Sequence, residues 1–125
     1  MMPAMPGTHS VPAQPWHARY PDGVPRGIDP TPYPTLVAMF DATVARFPTR
    51  PAFGNFGHLL SFRELQRHTL DFAAWLQHAL HVVRGDRIAL MMPNVLSYPV
   101  AMLGALRAGA TVVNVNPLYT PRELK

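Results

Sequence analysis

RIALMMPNVLSYPVAMLGALRAGATVVNVN, Arg87 to Asn116, decides the fold. Arg87 to Met92 is a short apolar run that follows the Gly85-Asp86 turn and stops at Pro93-Asn94, which reads as a buried strand. Pro99 suits the first turn of a helix, and Gly109 suits its end, so a helix is expected over about 97–108. Thr111 to Val115 is valine-rich and reads as a second strand. Strand, helix and strand in this order make a βαβ unit, with parallel strands and a right-handed crossover. The uncharged stretch from Ile88 to Leu106 is long enough to span a bilayer. Pro93-Asn94 and Ser97-Tyr98-Pro99 in its middle favour strand, loop and helix over one spanning helix.

Upstream, Leu36, Phe40, Val44 and Phe47 form a helical stripe, with Thr35 as the cap and Pro48 as the stop. Pro51 to Phe56 and Leu59 to Ser61 read as two strands of a hairpin around Gly57-His58. Ser61 and Glu64 have capping-box spacing. The helix they open, 62–80, places Leu65, Thr69, Phe72, Trp75, Leu76 and Leu80 on one side. This helix and that at 35–47 are expected to cover part of one sheet face. Parallel sheets are normally covered on both faces. Downstream, Thr120-Pro121-Arg122-Glu123 is a second capping box, and a helix is expected to start there. Its few remaining residues are too few to hold a helix alone, so the chain reads as a piece of a longer protein.

Proline divides the sequence. Nine of the 15 prolines fall within residues 1–34, where no apolar run exceeds two residues. That excludes a secretory signal, which needs an apolar segment of about 7–15 residues. The organisation expected is a disordered extension over 1–15, an extended proline-rich arm over 16–34, and the start of an α/β domain over 35–125.

Charged residues make up 14% of the 125, against about 25% in an ordinary soluble domain. The apolar share is 48%, which is normal, so the surface is short of charge and expects neighbours. There is no cysteine, which excludes disulfides, zinc thiolates and a cysteine nucleophile. The net charge of +4 rests on arginines spread along the chain, with no basic run and no nucleic-acid-binding signature.

No nucleophile–base constellation and no glycine-rich phosphate loop is present, so no catalytic or cofactor-binding residue is assigned. Glu64 and Glu123 are explained as caps. His78 and His81 are three residues apart but lack a third ligand nearby, so no metal site is assigned. The loops that follow the strands are the better candidates, because open parallel sheets bind ligands beyond the carboxyl ends of their strands. Asn94, Asn116, Tyr119 and Thr120 are the side chains there able to hydrogen-bond a ligand, although Asn also makes turns and Thr120 caps.

Several of these segments resemble one family. Arg87 to Asn94, Tyr98 to Ala101, Leu106 to Gly109 and Val112 to Leu124 are similar to the start of bacterial long-chain fatty acyl-CoA synthetases. These belong to the adenylate-forming, or AMP-binding, superfamily. Arg19 to Pro21, Val24-Pro25, Leu36-Val37, Met39-Phe40, Arg46-Phe47, Pro51 to Phe53 and Ser61 to Arg63 extend the resemblance, which runs from about Trp16 to the last residue. The Leu-Arg-Ala-Gly helix end is shared across the superfamily. The Val-Asn-Pro-Leu-Tyr-Thr-Pro-Arg-Glu run is more typical of the long-chain branch.

The resemblance implies the start of the large domain of an adenylate-forming enzyme. It also implies a fatty acid–CoA ligase in which a carboxylate attacks the α-phosphate of ATP and CoA then displaces AMP. ATP, Mg2+ and CoA are the expected cofactors of the full-length enzyme, and a fatty acid is its substrate. Nucleic acid is not an expected partner. The expected location is the cytoplasm, with peripheral attachment to the inner membrane and a homodimer both compatible with the family. The family's Ser/Thr/Gly-rich phosphate loop, its ribose-binding acid and its adenylation lysine match no residue here. Residues 1–125 alone are therefore expected neither to hold ATP, Mg2+ or CoA tightly nor to make acyl-CoA. Two alternatives stay open: another acyl- or aryl-CoA ligase of the superfamily, and a non-enzymatic binding module.

Overall fold

A computed structural model describes residues 14–29 and 31–124. The chain divides into two units, residues 1–33 and 34–125. Most of the stretch expected to be disordered, residues 1–13, lies outside the described residues. In the first unit, Pro15–Arg19 forms a 3-10 helix where extended chain was expected. Pro15 has the backbone angle that starts a helix. The His17 ring then lies edge-on to Trp16 and Tyr20, while its Nδ1 accepts a hydrogen bond from the Gln14 backbone at 3.1 Å.

The second unit has seven elements. They are α1 (Leu36–Arg46), β1 (Pro51–Asn55), β2 (His58–Ser61), α2 (Phe62–His78), β3 (Arg87–Leu90), α3 (Ser97–Arg107) and β4 (Thr111–Asn114). Strands β3 and β4 pair in parallel, Arg87 against Thr111 through Leu90 against Asn114, and α3 is the crossover between them. The expected βαβ unit is therefore present. The uncharged stretch 88–106 is split between β3, a loop and α3, and no helix among the described residues is long and apolar enough to cross a membrane.

Helices α1 and α2 start at side-chain caps, whereas α3 follows Leu96 with none. Thr35 Oγ1 accepts the Ala38 N–H at 3.0 Å. At α2 the capping box closes from both sides: Ser61 Oγ accepts from Glu64 N, and Glu64 Oε2 accepts from Ser61 N at 2.9 Å. At Thr120 only half of the second box forms: its N–H and hydroxyl both donate to Glu123 Oε2 at 2.8 Å, while Glu123 N donates to the Thr120 carbonyl, and residues 121–124 form turns and not the expected helix. A cap satisfies orphan donors; it does not supply the successive bonds that propagate a helix.

The hairpin turn also differs from expectation. Its two central residues are Phe56 and Gly57, and His58 already belongs to β2, paired with Asn55. Both have positive φ, 47° and 80°, the pattern of a type I′ turn. Gly57 accepts that conformation freely. Phe56 does not, and its strain costs about 1 kcal/mol.

Two apolar clusters hold the unit together. In the first, Ala73 and Leu76 of α2 meet Ala105 of α3, Ala108 and Ala110, with Ile88 and Val112 of the sheet packed against them. In the second, Phe40 and Val44 of α1, Leu65 of α2 and Leu103 of α3 close together, joined by Ala52 and Leu60 of the hairpin. Helix α1 thus packs on α2 and α3 and not on the sheet. On α2 the buried residues are Leu65, Thr69, Ala73 and Leu76, while Trp75 and Leu80 are half exposed. Trp75 stacks on Phe72 at the edge of the buried stripe instead.

One ionic contact joins the three helices. Arg107 donates to both carboxylate oxygens of Asp41, through Nη1 at 3.2 Å and through Nη2, and Gln66 Nε2 donates to Asp41 Oδ1 at 3.1 Å. The Arg107 hydrogen bonds hold the Asp41 carboxyl below its ordinary range, with Gln66 adding to the effect and desolvation opposing it. A carboxyl lowered in the folded state stabilises above its unfolded value, about 3.9, and loses that contribution as pH falls through the folded value. Stability is therefore expected to decline below about pH 4. In Asp41→Asn the decline is smaller, because only the exposed carboxylates remain to titrate. Chemical denaturation from pH 7 to pH 2.5 measures the difference.

Candidate functional site

The carboxyl ends of β3 and β4 lie beside the hairpin. Residues 93–95 follow β3, and the backbone carbonyl of Asn94 accepts a hydrogen bond from Asn55 Nδ2 at 2.6 Å. This bond ties the end of β1 to the loop before α3. Between them is an open cleft of about 210 Å³, lined by Phe53, Gly54 and Asn55 on one side and Asn94, Val95, Leu96, Tyr98 and Pro99 on the other. The lining is mainly apolar, with two carboxamides and one phenol as its polar groups. Tyr98 turns its hydroxyl to Asn114 Oδ1, at 2.7 Å, which links the first turn of α3 to the last residue of β4.

The four candidate residues separate. Asn94 lines the cleft and is exposed. Asn116 folds back on its own turn: its Oδ1 accepts from Leu118 N at 3.0 Å, and its carbonyl accepts from Tyr119 N. Thr120 is held by Glu123, and the exposed Tyr119 lies between these two turns. Asn116, Tyr119 and Thr120 do not line the cleft. Asn55, Tyr98 and Asn114 were not singled out as candidates, yet they make the side-chain bonds around it. Their partners are 39 and 16 residues away, so no local pattern announces them.

The cleft offers shape, apolar contact and neutral hydrogen-bonding groups. Among the described residues no three His, Cys, Asp or Glu side chains gather where they could hold a metal ion. His78 ends α2 and His81 lies beyond it at a φ of 55°, so the pair does not share a helix face.

The profile of the AMP-binding enzyme family matches residues 40–125, which include the whole βαβ unit and the cleft. The chain belongs to the AMP-binding enzyme family. Over 110 residues this AMP-binding chain is 56% identical to a long-chain-fatty-acid–CoA ligase of Escherichia coli O157:H7, covering 88% of the chain and 20% of that relative. A long-chain-fatty-acid–CoA ligase of Bacillus subtilis is 38% identical over 112 residues. The chain thus spans about a fifth of the length of the curated relatives it matches. Among solved structures, the N-terminal subdomain of Klebsiella oxytoca NpsA with 3-hydroxyanthranilyl-AMSN aligns at a TM-score of 0.67 and 29% identity, over 70% of this chain and 22% of that one. A fatty acyl-adenylate ligase from L. pneumophila, in complex with acyl adenylate and pyrophosphate, aligns at 0.60 and 29%, over 66% of this chain and 15% of that one. These matches agree with an α/β fold that forms part of the N-terminal subdomain of adenylate-forming enzymes.

Proposed function

We propose that this chain is the N-terminal part of a long-chain fatty acid–CoA ligase. The observation that carries the reading is the 56% identity over 110 residues with a ligase of that class. In the complete protein the substrates are a long-chain fatty acid, ATP and CoA, with Mg2+ as the metal, and the reaction passes through an acyl-adenylate. The role of residues 34–125 in that protein is architectural. They set the parallel βαβ unit, and they hold the strand-end loops beside the hairpin. Of the four candidates Asn94 is the one we take to meet a ligand, a reading supported by its position on the cleft lining. Asn116, Tyr119 and Thr120 shape the loop after β4. The complete enzyme works in the cytoplasm and attaches peripherally to the inner membrane.

A chimaera tests the proposal. The segment of the E. coli ligase that aligns with this chain is replaced by the chain itself. Acyl-CoA formation from palmitate, ATP and CoA is then measured beside the parent enzyme and beside residues 1–125 alone. The chimaera is expected to keep activity within about tenfold of the parent, since core substitutions that conserve volume and pattern are tolerated. The 125 residues alone are expected to be inactive. A folded but inactive chimaera, or acyl-adenylate made by the 125 residues alone, overturns the proposal.

A further inference from the structure

Within the first unit, Val24-Pro25-Arg26-Gly27-Ile28 sets one arginine apart from the others. Residues 18–29 are all exposed, Ile28 at 92%. Among the described residues, Pro25, Arg26, Gly27 and Ile28 make no hydrogen bond, and Arg26 has no ion-pair partner. The bonds nearest to them stop on either side. Val24 N donates to the Pro21 carbonyl at 3.2 Å, and Asp29 Oδ1 accepts from the backbone N–H and the hydroxyl of Thr31 at 2.9 and 2.6 Å. The stretch also offers little for another part of a longer chain to bury. Six of the eight residues from 22 to 29 are Asp, Arg, Gly or Pro.

We propose that the Arg26–Gly27 peptide bond is a cleavage site for a trypsin-type serine endopeptidase, one that cuts after arginine. Such an enzyme needs a guanidinium free to meet the carboxylate of its specificity pocket, and a backbone that can lie extended in its cleft. Arg26 supplies the first. Pro25 favours the second, since proline fixes φ near about −65° and pushes the residue before it towards extended backbone. The bend at residues 26 and 27 has no hydrogen bond to hold it against straightening. The protease's serine oxygen attacks the Arg26 carbonyl carbon, and the Gly27 nitrogen takes a proton and leaves as a new amino terminus. Water then releases the Arg26 carboxylate. The product, residues 27–125, keeps the whole second unit. The other arginines are held differently. Five lie inside α1, α2, β3 or α3. Arg19 ends the 3-10 helix, and Arg50 is followed by Pro51, whose ring obstructs cleavage. After Arg84 the Gly85 N–H is bonded to the Gly109 carbonyl, and after Arg122 the Glu123 N–H is bonded to the Thr120 carbonyl. Residues 1–13 contain no lysine or arginine.

Trypsin at low ratio, applied to the 125-residue chain and to the chimaeric ligase and followed by mass spectrometry over time, tests it. In both proteins the Arg26–Gly27 bond is expected to be cut at least about tenfold faster than any bond within residues 34–125, since those must first open locally. The first large fragment then begins Gly27-Ile28-Asp29. Arg26→Gln is expected to abolish that cut. Gly27→Pro is expected to abolish it as well while leaving the arginine in place, which separates the peptide bond from the charge. Neither substitution removes a hydrogen bond, so both variants are expected to melt as the parent does. A first cut after Arg19, Arg84 or Arg122, or an Arg26–Gly27 bond that survives in the chimaera, overturns the proposal. Cleavage is read without catalysis, so an inactive chimaera that is still cut after Arg26 would sink the proposed function and leave this inference standing.

Discussion

Gly104→Val is expected to destabilise the chain by about 4 kcal/mol, and Gly104→Ala by about 2 kcal/mol. Gly104 lies in the middle of α3 where that helix crosses α2. A Cβ at this position would stand 2.7 Å from Phe72 Cδ1, 3.2 Å from the Thr69 carbonyl oxygen and 3.3 Å from Phe72 Cβ. The first contact is with a side chain, which could turn away. The second is with backbone, and the third with the carbon that anchors the ring, so neither yields without moving α2. Phe72 is further restrained by stacking on Trp75, with ring centres 5.7 Å apart. Alanine regains about 1 kcal/mol of helix propensity over glycine, which is why its net cost stays below that of valine. The double variant Gly104→Ala with Phe72→Ala separates the two causes. If the clash with the ring dominates, the second substitution costs clearly less in the Gly104→Ala background than alone. Strict additivity in urea denaturation would show that the Thr69 carbonyl sets the limit instead.

The same crossing shows what can be read along the chain. The βαβ unit was legible because every boundary carries its own local signal: Gly85-Asp86, Pro93-Asn94, Pro99 and Gly109 all punctuate the pattern where elements change. Helix α2 was legible from its capping box and periodicity, although Trp75 and Leu80 fall at the edge of the stripe and stay half exposed. The hairpin turn was displaced by one residue. Phenylalanine is a poor guide to a left-handed position, and only the pairing of Asn55 with His58 fixes it. The second capping box formed only the bonds to the Glu123 side chain, and no helix follows, since capping is local and propagation is not. The site was the least legible part. The rule that ligands meet loops after strand ends points to Asn94, but the side-chain bonds beside the cleft, Asn55 to the Asn94 carbonyl and Tyr98 to Asn114, pair across 39 and 16 residues. The Asp41–Arg107 contact, 66 residues apart, has no signature at either end. Such pairs exist only once α1, the hairpin and α3 have packed.

Leu65→Ala is expected to cost about 3 kcal/mol, and to disturb the cleft as well as the core. Leu65 is fully buried, at 0% exposure, where α1, α2, α3 and the hairpin converge. Its neighbours Phe40, Val44 and Leu103 come from the other two helices, and Leu60 and Ala52 come from the hairpin. Truncation removes three carbons from a site that four elements hold open, so collapse onto the void is resisted and the cost lies within the usual range for a buried leucine. The cleft has one wall on β1 and the other at the start of α3. Both walls rest on this cluster, through Ala52 and Leu60 for one and Val100 and Leu103 for the other. Loss of Leu65 should therefore loosen the Asn55–Asn94 bond, whereas Leu76→Ala, in the cluster beneath the sheet, should lower stability by a similar amount and leave that bond intact. Hydrogen exchange or the Asn55 side-chain amide resonance distinguishes the two variants. Equal disturbance of Asn55 in both would mean that the hairpin is held by overall stability and not by the cluster around Leu65.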